Sequence, residues 1–366
     1  MDKKMLFAPG PVNTSETVKK AALVPDMCHR SPVFENMYHS LRDNLMKLFK
    51  VNNDKYTTIV VSGSGTASNE MVISSVLREG EKVLLISNGE FGNRLKAIIE
   101  CYGIGLSLIE LEWGEYPDLR RIENELKNDK DIRLISMVFH ETSTGMINPV
   151  YEVGRLAKNY DKMYHVDAIS AIGGEDVNVE RDNIDFCTGV PNKCVSGQTG
   201  VSFICVNRER INEIKNIQGR NIYLNLQNHI KKAEECNQTP NTPSVIMFLT
   251  LNEALKELFK EGLNNRIKRY KENANIIRNN LKSLKLQFLL DEEKYMSNTV
   301  TSVFLPKSID VNDFIKKMYD SGYIIYPGKG LLFKENIFQI ANMGQIYHKD
   351  CLNFNQIIKD VYKSYL

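Results

Sequence analysis

The sequence predicts an α/β fold in which helices flank a mainly parallel sheet, followed by a smaller α+β domain. Short apolar, β-branched runs alternate with helix-like stretches from about residue 56, and this alternation ends near residue 251. Apolar strands separated by helix-length segments are typical of parallel sheets covered on both faces. We therefore expect a large domain over residues 1–252 and a small domain over residues 253–366. We expect roughly the first 20 residues to pack on the small domain, since chain termini lie at domain surfaces.

The individual elements follow from the period of the apolar residues. The predicted strands are Thr57–Ser62, Lys82–Ser87, Leu106–Leu111, Arg133–Phe139, Met163–Asp167, Ile184–Val190 and Val201–Val206. The predicted helices are Ala67–Leu77, Arg94–Tyr102, Leu119–Lys127 and Val150–Tyr160. A Lys- and Asn-rich helical stretch from Glu253 to about Leu284 begins the second domain, and it is followed by Ser302–Leu305, Asp313–Ser321 and Tyr323–Tyr326.

Composition argues against several classes of partner. The 47 basic and 45 acidic residues give a net charge of +2, which indicates neither a nucleic-acid-binding nor an anionic-membrane-binding protein. The seven cysteines are odd in number and none are spaced as C-x-x-C, so neither a disulfide framework nor a metal site is expected. Pro9 interrupts the short apolar run after Met1, which is unlike a secretory signal, and no stretch approaches the ~18 apolar residues of a membrane helix. We expect a cytoplasmic protein.

Gly63-Ser64-Gly65-Thr66 follows a predicted strand and opens a predicted helix. Backbone N–H groups at a helix N-terminus, together with two hydroxyls, suit a phosphate. A plain capping turn is the alternative, because Ser and Thr are common at helix starts. The segment lacks the G-K-[ST] ending of a nucleotide-binding P-loop.

Asp167 and Lys193 suggest the chemistry of the site. Asp167 ends an apolar strand, and a buried carboxylate needs a partner or a function, unless it only caps a turn. Lys193 comes 26 positions later, after the next strand, where a desolvated amine could act as a nucleophile towards carbonyls. An aspartate, a lysine and an upstream phosphate turn form the set that pyridoxal 5′-phosphate requires. Asp167 would keep the pyridine nitrogen protonated, and Lys193 would hold the aldehyde as a Schiff base and move the substrate proton.

Six segments occur in the order found in a known family. They are Gly63-Ser-Gly-Thr, Ser87-Asn-Gly-Glu-Phe-Gly, Glu141-Thr-Ser-Thr-Gly-Met-Ile-Asn-Pro, Val166-Asp-Ala-Ile-Ser, Asn192-Lys-Cys-Val-Ser-Gly and Tyr326-Pro-Gly-Lys. They resemble the class V aminotransferases of pyridoxal-phosphate fold type I over nearly the whole chain. The greatest similarity is to the members that transfer the amino group of 2-aminoethylphosphonate to pyruvate. The resemblance implies a seven-stranded, mainly parallel sheet in the large domain and an aminotransferase of EC 2.6.1 type.

The resemblance also implies roles for individual residues. Lys193 matches the Schiff-base lysine and Asp167 the partner of the pyridinium nitrogen, while the other matches to cofactor-binding positions are Ser64, Gly65, Thr66, Phe91, Thr142 and Asn192. Phe91 would stack on the cofactor ring and Thr142 would bond its phenolic oxygen. In the family, a Thr-Pro loop of the partner subunit completes the phosphate site. Thr242 is the candidate here, which implies a homodimer with shared active sites.

One position departs from the family pattern. Where relatives carry a carboxylate-binding arginine in F-R-[IV]-G-x-[IM]-G, this chain has Gln339. A guanidinium fork binds a carboxylate through paired, charge-assisted hydrogen bonds that an amide cannot supply. Arg30 or Lys329 could replace it, the substrate could lack a carboxylate in one half-reaction, or the chemistry could differ. The leading prediction is a ping-pong transaminase for 2-aminoethylphosphonate and pyruvate. Open alternatives are a lyase or decarboxylase on this fold, or an aminotransferase of alanine– or serine–glyoxylate type.

Overall fold

The computed structural model describes residues 4–366. Its strands are β1 (Met5–Leu6), β2 (Tyr56–Ser62), β3 (Lys82–Ser87), β4 (Gly105–Glu110), β5 (Ile132–Val138), β6 (His140–Glu141), β7 (Met146–Ile147), β8 (Met163–Asp167), β9 (Phe186–Gly189), β10 (Val201–Asn207), β11 (Val300–Phe304), β12 (Tyr323–Ile324), β13 (Tyr326–Pro327) and β14 (Ile337–Ala341). Its helices are α1 (Glu16–Lys20), α2 (Pro32–Phe49), α3 (Gly65–Ser75), α4 (Glu90–Cys101), α5 (Leu119–Asn128), α6 (Val150–Asn159), α7 (Arg208–Ile214), α8 (Leu226–Cys236), α9 (Val245–Glu261), α10 (Leu263–Ser283), α11 (Val311–Asp320), α12 (Leu331–Lys334) and α13 (His348–Lys363), with a 3₁₀ turn at Glu293–Tyr295.

A seven-stranded sheet forms the centre of the molecule, in the order β2-β10-β9-β8-β5-β3-β4. Within it, β10 is antiparallel to both its neighbours, while β9, β8, β5, β3 and β4 pair in parallel. The connection from β9 to β10 contains no helix, and so short a link suits an antiparallel pair better than a parallel crossover. The prediction of a mainly parallel seven-stranded sheet is confirmed.

The parallel strands bring several loops to one edge of the sheet. The inner strands β3, β5, β8 and β9 are almost entirely buried, as expected for strands covered on both faces. Their carboxyl ends, with that of β2, point the same way because β2 and β9 both run opposite to β10. The segments after Ser62, Ser87, Asp167 and Gly189 therefore meet at this edge, where open α/β sheets bind ligands.

A second apolar core lies in the C-terminal part. It packs residues of α10, α11 and α13 against the antiparallel sheet β11-β14-β13. Phe7 belongs to this core and β1 pairs with β12, whereas Val18 belongs to the first core, which surrounds the central sheet. The predicted packing of the first 20 residues on the small domain stays a prediction. The predicted division after residue 252 falls within α9, whose buried Leu255 and Leu258 belong to the first core. That boundary stays a prediction.

Two helical regions differ from the sequence prediction. The prediction of one continuous helical stretch from Glu253 to about Leu284 is wrong, because α9 ends at Glu261 and α10 starts at Leu263. Gly262, between them, has φ +88°, a left-handed conformation that glycine adopts without the steric cost of a side chain. The 18-residue helix α2 was not predicted. Among residues 4–366, no helix is long and apolar enough to cross a membrane.

Candidate active site

A cavity of about 500 Å³ lies at the carboxyl edge of the central sheet. Seven of the predicted cofactor-binding residues line it: Ser64, Gly65, Thr66, Phe91, Asp167, Asn192 and Lys193. Lys329, considered above as a substrate cation, lines it as well. The remaining candidates Arg30, Thr142, Thr242 and Gln339 are not among the lining residues. Within residues 4–366, no group of His, Cys, Asp and Glu side chains is arranged to hold a metal.

Asp167 is held by two hydrogen bonds at the end of β8. Its Oδ2 accepts from Asn69 Nδ2 at 2.6 Å, and its Oδ1 accepts from the Ile169 amide at 3.0 Å. Asn69 is fixed in turn, since its Oδ1 accepts from Thr188 Oγ1 at 2.6 Å. Burial raises the pKa of Asp167, while the Ile169 and Asn69 hydrogen bonds and the charges of nearby cations oppose that rise. The carboxylate therefore has a fixed orientation and an environment suited to a cationic partner.

Lys193 contacts the start of the chain. Its Nζ donates to the carbonyl oxygen of Pro9, and a Cβ at Gly10 would lie only 2.7 Å from Nζ. Gly10 has φ +119°, so glycine is required there both by the backbone and by the close approach of the lysine. Burial, and then the charge of Lys329, lower the pKa of Lys193 to about 8. A substantial fraction of the amine is therefore neutral, and nucleophilic, at mildly alkaline pH.

The predicted phosphate turn opens α3. Ser64 is the N-cap residue, but its hydroxyl makes no capping hydrogen bond, so it is not engaged by the helix. A Cβ at Gly65 would lie 2.4 Å from Ile169 Cδ1, so a larger residue there would collide with the cavity wall. Free amide groups at the N-terminus of an eleven-residue helix, with a hydroxyl alongside, suit an anion.

Phe91 is oriented by Glu141. The buried Glu141 carboxylate accepts from the amides of Phe91 and Gly92 at 3.2 and 3.1 Å, and from the hydroxyl of Ser143. The carboxylate therefore provides acceptors for the free backbone amides in the first turn of α4. The N-cap residue of that helix, Gly89, has no side chain that could do so. Burial raises the pKa of Glu141, and these hydrogen bonds oppose it. The Glu141–Pro149 segment thus positions the aromatic ring at the cavity wall.

Gln339 lies in β14. It is fully buried, and the two N–H donors of its Nε2 are shared among three acceptors at 2.8–2.9 Å: the carbonyls of Thr142 and Ser143 and the hydroxyl of Ser302. Gln339 Oε1 and the neighbouring Thr142 Oγ1 are buried without a hydrogen-bond partner. The Thr142 hydroxyl is thus available for an acceptor or donor that the chain does not supply, as the predicted cofactor contact requires.

Arg30 and the Thr242 loop lie outside the cavity wall. Arg30 Nη1 donates to Gln238 Oε1 and to the carbonyl of Thr239, both at 3.1 Å. Gln238 also donates to Glu35, so α2 fixes the start of this loop while Thr242 itself is exposed. The roles predicted for Arg30, Thr242 and Gln339 stay predictions.

Sequence reasoning missed Asn69, Arg94 and Ile169, all of which line the cavity. A signal existed for Ile169, since it lies in the loop directly after a strand, where open α/β sheets bind ligands. Asn69 and Arg94 lie inside predicted helices, where polar residues are ordinary, and only the tertiary structure turns them towards the cavity.

Comparison with known proteins identifies the family. The aminotransferase class-V profile matches residues 16–330. A bifunctional phosphonoacetaldehyde hydrolase/aminoethylphosphonate transaminase of Clostridioides difficile is 36% identical over 97% of this chain, which spans 56% of that protein's length. A 2-aminoethylphosphonate–pyruvate transaminase of Bacillus cereus is 33% identical, with 98% of this chain and 97% of the relative covered.

Solved structures agree with the sequence comparison. The crystal structure of ureidoglycine–glyoxylate aminotransferase from Bacillus subtilis superposes with a TM-score of 0.92 at 26% identity, covering 100% of this chain and 94% of that one. The fold is that of the fold type I aminotransferases. The chain belongs to the class V aminotransferase family and is a pyridoxal 5′-phosphate-dependent enzyme.

The residues of the cavity fit this cofactor. A buried carboxylate, an amine of lowered pKa and a helix N-terminus with an unengaged hydroxyl meet in one cavity. Together they match the pyridine nitrogen, the aldehyde and the phosphate, the three groups by which the protein must hold and orient the molecule.

Proposed function

We propose that this protein transfers the amino group of 2-aminoethylphosphonate to pyruvate in a ping-pong reaction. The observation that carries the proposal is the convergence of Lys193, Asp167 and the Ser64–Thr66 turn in one cavity of a class V aminotransferase. The choice of substrates is supported by the names of relatives that match almost the full length of this chain. We propose that the reaction takes place in the cytoplasm. We also propose that the chain divides into a large domain, residues 1–252, and a small domain, residues 253–366.

Lys193 would perform the proton transfers. Pyridoxal 5′-phosphate, when bound, draws electrons from the carbon that carries the amino group and so weakens its C–H bond. Lys193 Nζ would bind the cofactor aldehyde between turnovers and, once released, take the proton from the substrate carbon. The Pro9 carbonyl accepts a hydrogen bond from Lys193 Nζ. The lone pair of the neutral Lys193 amine is not used in this contact.

The other residues would bind and orient the cofactor. Asp167, fixed by Asn69 and Ile169, would hold the proton on the pyridine nitrogen. Ser64, Gly65, Thr66 and Asn192 would bind the phosphate, Phe91 would cover one face of the ring, and the Thr142 hydroxyl would bond the phenolic oxygen. Each of these contacts serves position rather than bond making, and position is a large part of catalysis.

A half-reaction without acceptor tests the amino donor. Mixing the holoenzyme with 2-aminoethylphosphonate should convert the visible absorbance of the bound aldehyde form to that of the amine form, and pyruvate should reverse it. Ethylamine, which lacks the phosphonate, is the matched control and should react far more slowly. If alanine converts the cofactor but 2-aminoethylphosphonate does not, the proposed donor is wrong.

We also propose a homodimer with shared active sites. Support comes from large apolar side chains that the chain leaves exposed: Leu23 is 82% exposed, Val33 63% and Ile222 88%. Tyr223, next to Ile222, donates to the carbonyl of Ser62 at 3.2 Å, beside the phosphate turn. An exposed apolar side chain this close to the phosphate turn favours an interface there, from which the exposed Thr242 could reach the partner's phosphate.

Subunit complementation tests the sharing. Lys193→Ala and Thr242→Asp should each be inactive, the second because a carboxylate repels the cofactor phosphate. Mixed after partial unfolding and refolding, they should regain activity, because one site of each hybrid dimer then has both Lys193 and Thr242. Absence of recovery in dimers shown by mass to be mixed would place Thr242 in the site of its own subunit.

A further inference from the structure

Two cations of the cavity have no part in the function proposed so far. Arg94 lies in α4, almost one turn after Phe91, and Lys329 follows β13, more than two hundred positions along the chain. Both line the same cavity as Lys193. Arg94 Cζ lies 4.8 Å from the centre of the Phe91 ring, and Lys329 Nζ lies 4.9 Å from it. Two distant segments therefore bring their positive charges to a single aromatic ring.

Neither charge forms an ion pair with a carboxylate within residues 4–366. The charged ends of Arg94 and Lys329 lie over the Phe91 ring, and Arg94 acts on Asp167 only through its charge. Glu90 and Glu141 are the nearby acids that favour the charged form of Lys329. Burial lowers the pKa of Lys329, and the charge of Arg94 lowers it further. An anion bound beside the two cations would offset both pKa-lowering effects, because it supplies a further negative charge.

The residues expected to bind the substrate anion are engaged elsewhere. The two amide hydrogens of Gln339 are shared among the carbonyls of Thr142 and Ser143 and the hydroxyl of Ser302. Arg30 donates to the loop at Gln238 and Thr239. Lys193 is needed for proton transfer. Arg94 and Lys329 are the remaining cations that line the cavity within the described residues.

We infer that Arg94 and Lys329 form the anion subsite of the substrate, which holds the phosphonate of the amino donor and then the carboxylate of the keto-acid acceptor. This inference rests on the proposed function. A ping-pong enzyme must place a tetrahedral dianion and a planar monoanion in one site in alternate half-reactions. An ammonium with three rotatable donors adapts to both shapes, and a guanidinium adds a directional donor pair. A pair of cations thus replaces the single arginine fork of the family pattern.

Ligand binding to the holoenzyme tests the subsite without catalysis. Ethylphosphonate has the anionic group of the donor but no amine, so it binds without reacting, and calorimetry gives its Kd. Arg94→Met and Lys329→Met should each weaken binding by about 10–100-fold, the usual effect of losing one charged hydrogen bond. Lys334→Met removes an exposed cation a few residues after Lys329, outside the cavity, and should change nothing.

Kinetics and cofactor content complete the test. In both cavity variants, KM for 2-aminoethylphosphonate should rise by a much larger factor than KM for ethylamine, which has no anionic group, and the bound cofactor should stay stoichiometric at saturating cofactor. If ethylphosphonate binds equally well to the variants and the wild type, the subsite is wrong even if the enzyme uses 2-aminoethylphosphonate. If the two variants lose the cofactor but still bind ethylphosphonate, the anion-subsite inference is also wrong, because the two cations then bind the cofactor phosphate. If ethylphosphonate binding depends on the two cations but 2-aminoethylphosphonate is not turned over, the subsite inference stands and only the proposed substrate is wrong.

Discussion

Two regions around the active site differ in how completely the protein satisfies its own polar groups. On the Asp167 side, at the cavity wall, both carboxylate oxygens and the Asn69 amide oxygen have partners. On the Gln339 side, outside the cavity lining, Gln339 Oε1 and Thr142 Oγ1 have none. A saturated network holds a functional group in one orientation, whereas unsatisfied groups keep hydrogen-bonding capacity for a further partner.

Removing Lys193 should have the largest effect. Lys193→Ala deletes both the amine that binds the aldehyde and the proton carrier, so turnover should fall by about 10³-fold or more. The visible absorbance of covalently held cofactor should disappear while the helical circular dichroism is retained. Persistence of the absorbance would show that another lysine binds the aldehyde.

Two matched amide substitutions probe the contrast directly, and the first acts on the saturated side. Asn69→Leu removes a hydrogen bond from Asp167 and leaves that carboxylate less well stabilised, so its pKa should rise further. Activity should fall about 10–100-fold, since a hydrogen bond to a charged group contributes about 1.5–3 kcal/mol. The cofactor should also dissociate faster, as measured by dilution and gel filtration. Unchanged activity would mean that the Asn69 contact does not matter to the carboxylate's function.

Gln339→Leu is the corresponding change on the unsaturated side. It leaves two buried carbonyls and the Ser302 hydroxyl without their donor, so we expect stability to fall by about 1–3 kcal/mol, seen as a lower Tm. Ethylphosphonate affinity should change less than tenfold, because Gln339 does not line the cavity. A large loss of ethylphosphonate affinity with an unchanged Tm would restore Gln339 as a substrate-binding residue.

The smallest expected effect is a shift in pH dependence. In the cofactor-free protein the pKa of Lys193 is about 8, so the rate of cofactor attachment at low cofactor concentration should rise as pH increases through that value and the neutral amine forms. Lys329 is a cation that lowers this pKa, and Lys329→Met should therefore move the midpoint to higher pH and slow attachment at pH 7. Stopped-flow absorbance measures both rates, with Lys334→Met as control. A midpoint that stays in place would show that Lys329 does not act on Lys193.

Much of the fold and half of the site could be predicted from local sequence. The strands of the central sheet are short β-branched runs bounded by turns, so β3 and β8 have the predicted limits. Asp167, Lys193 and the Ser64–Thr66 turn were found because each lies at the end of a strand or within four residues after it, where chain order indicates the position. The break at Gly262 was missed because the flanking segments are both strongly helical, and a single glycine inside a helical pattern is often tolerated.

The sequence by itself determined the α/β class and the family, and it supplied the candidates for the cofactor-binding residues, because these depend on periodicity and on motifs within a few positions of each other. Only the tertiary structure decided which side chains complete the network and the charge of the cavity. Asn69 reaches Asp167 across 98 positions, and Lys329 reaches the Phe91 ring, which Arg94 also contacts, across more than two hundred. Such pairs depend on the packing of helices against the sheet and on how the two cores meet, which no local pattern records.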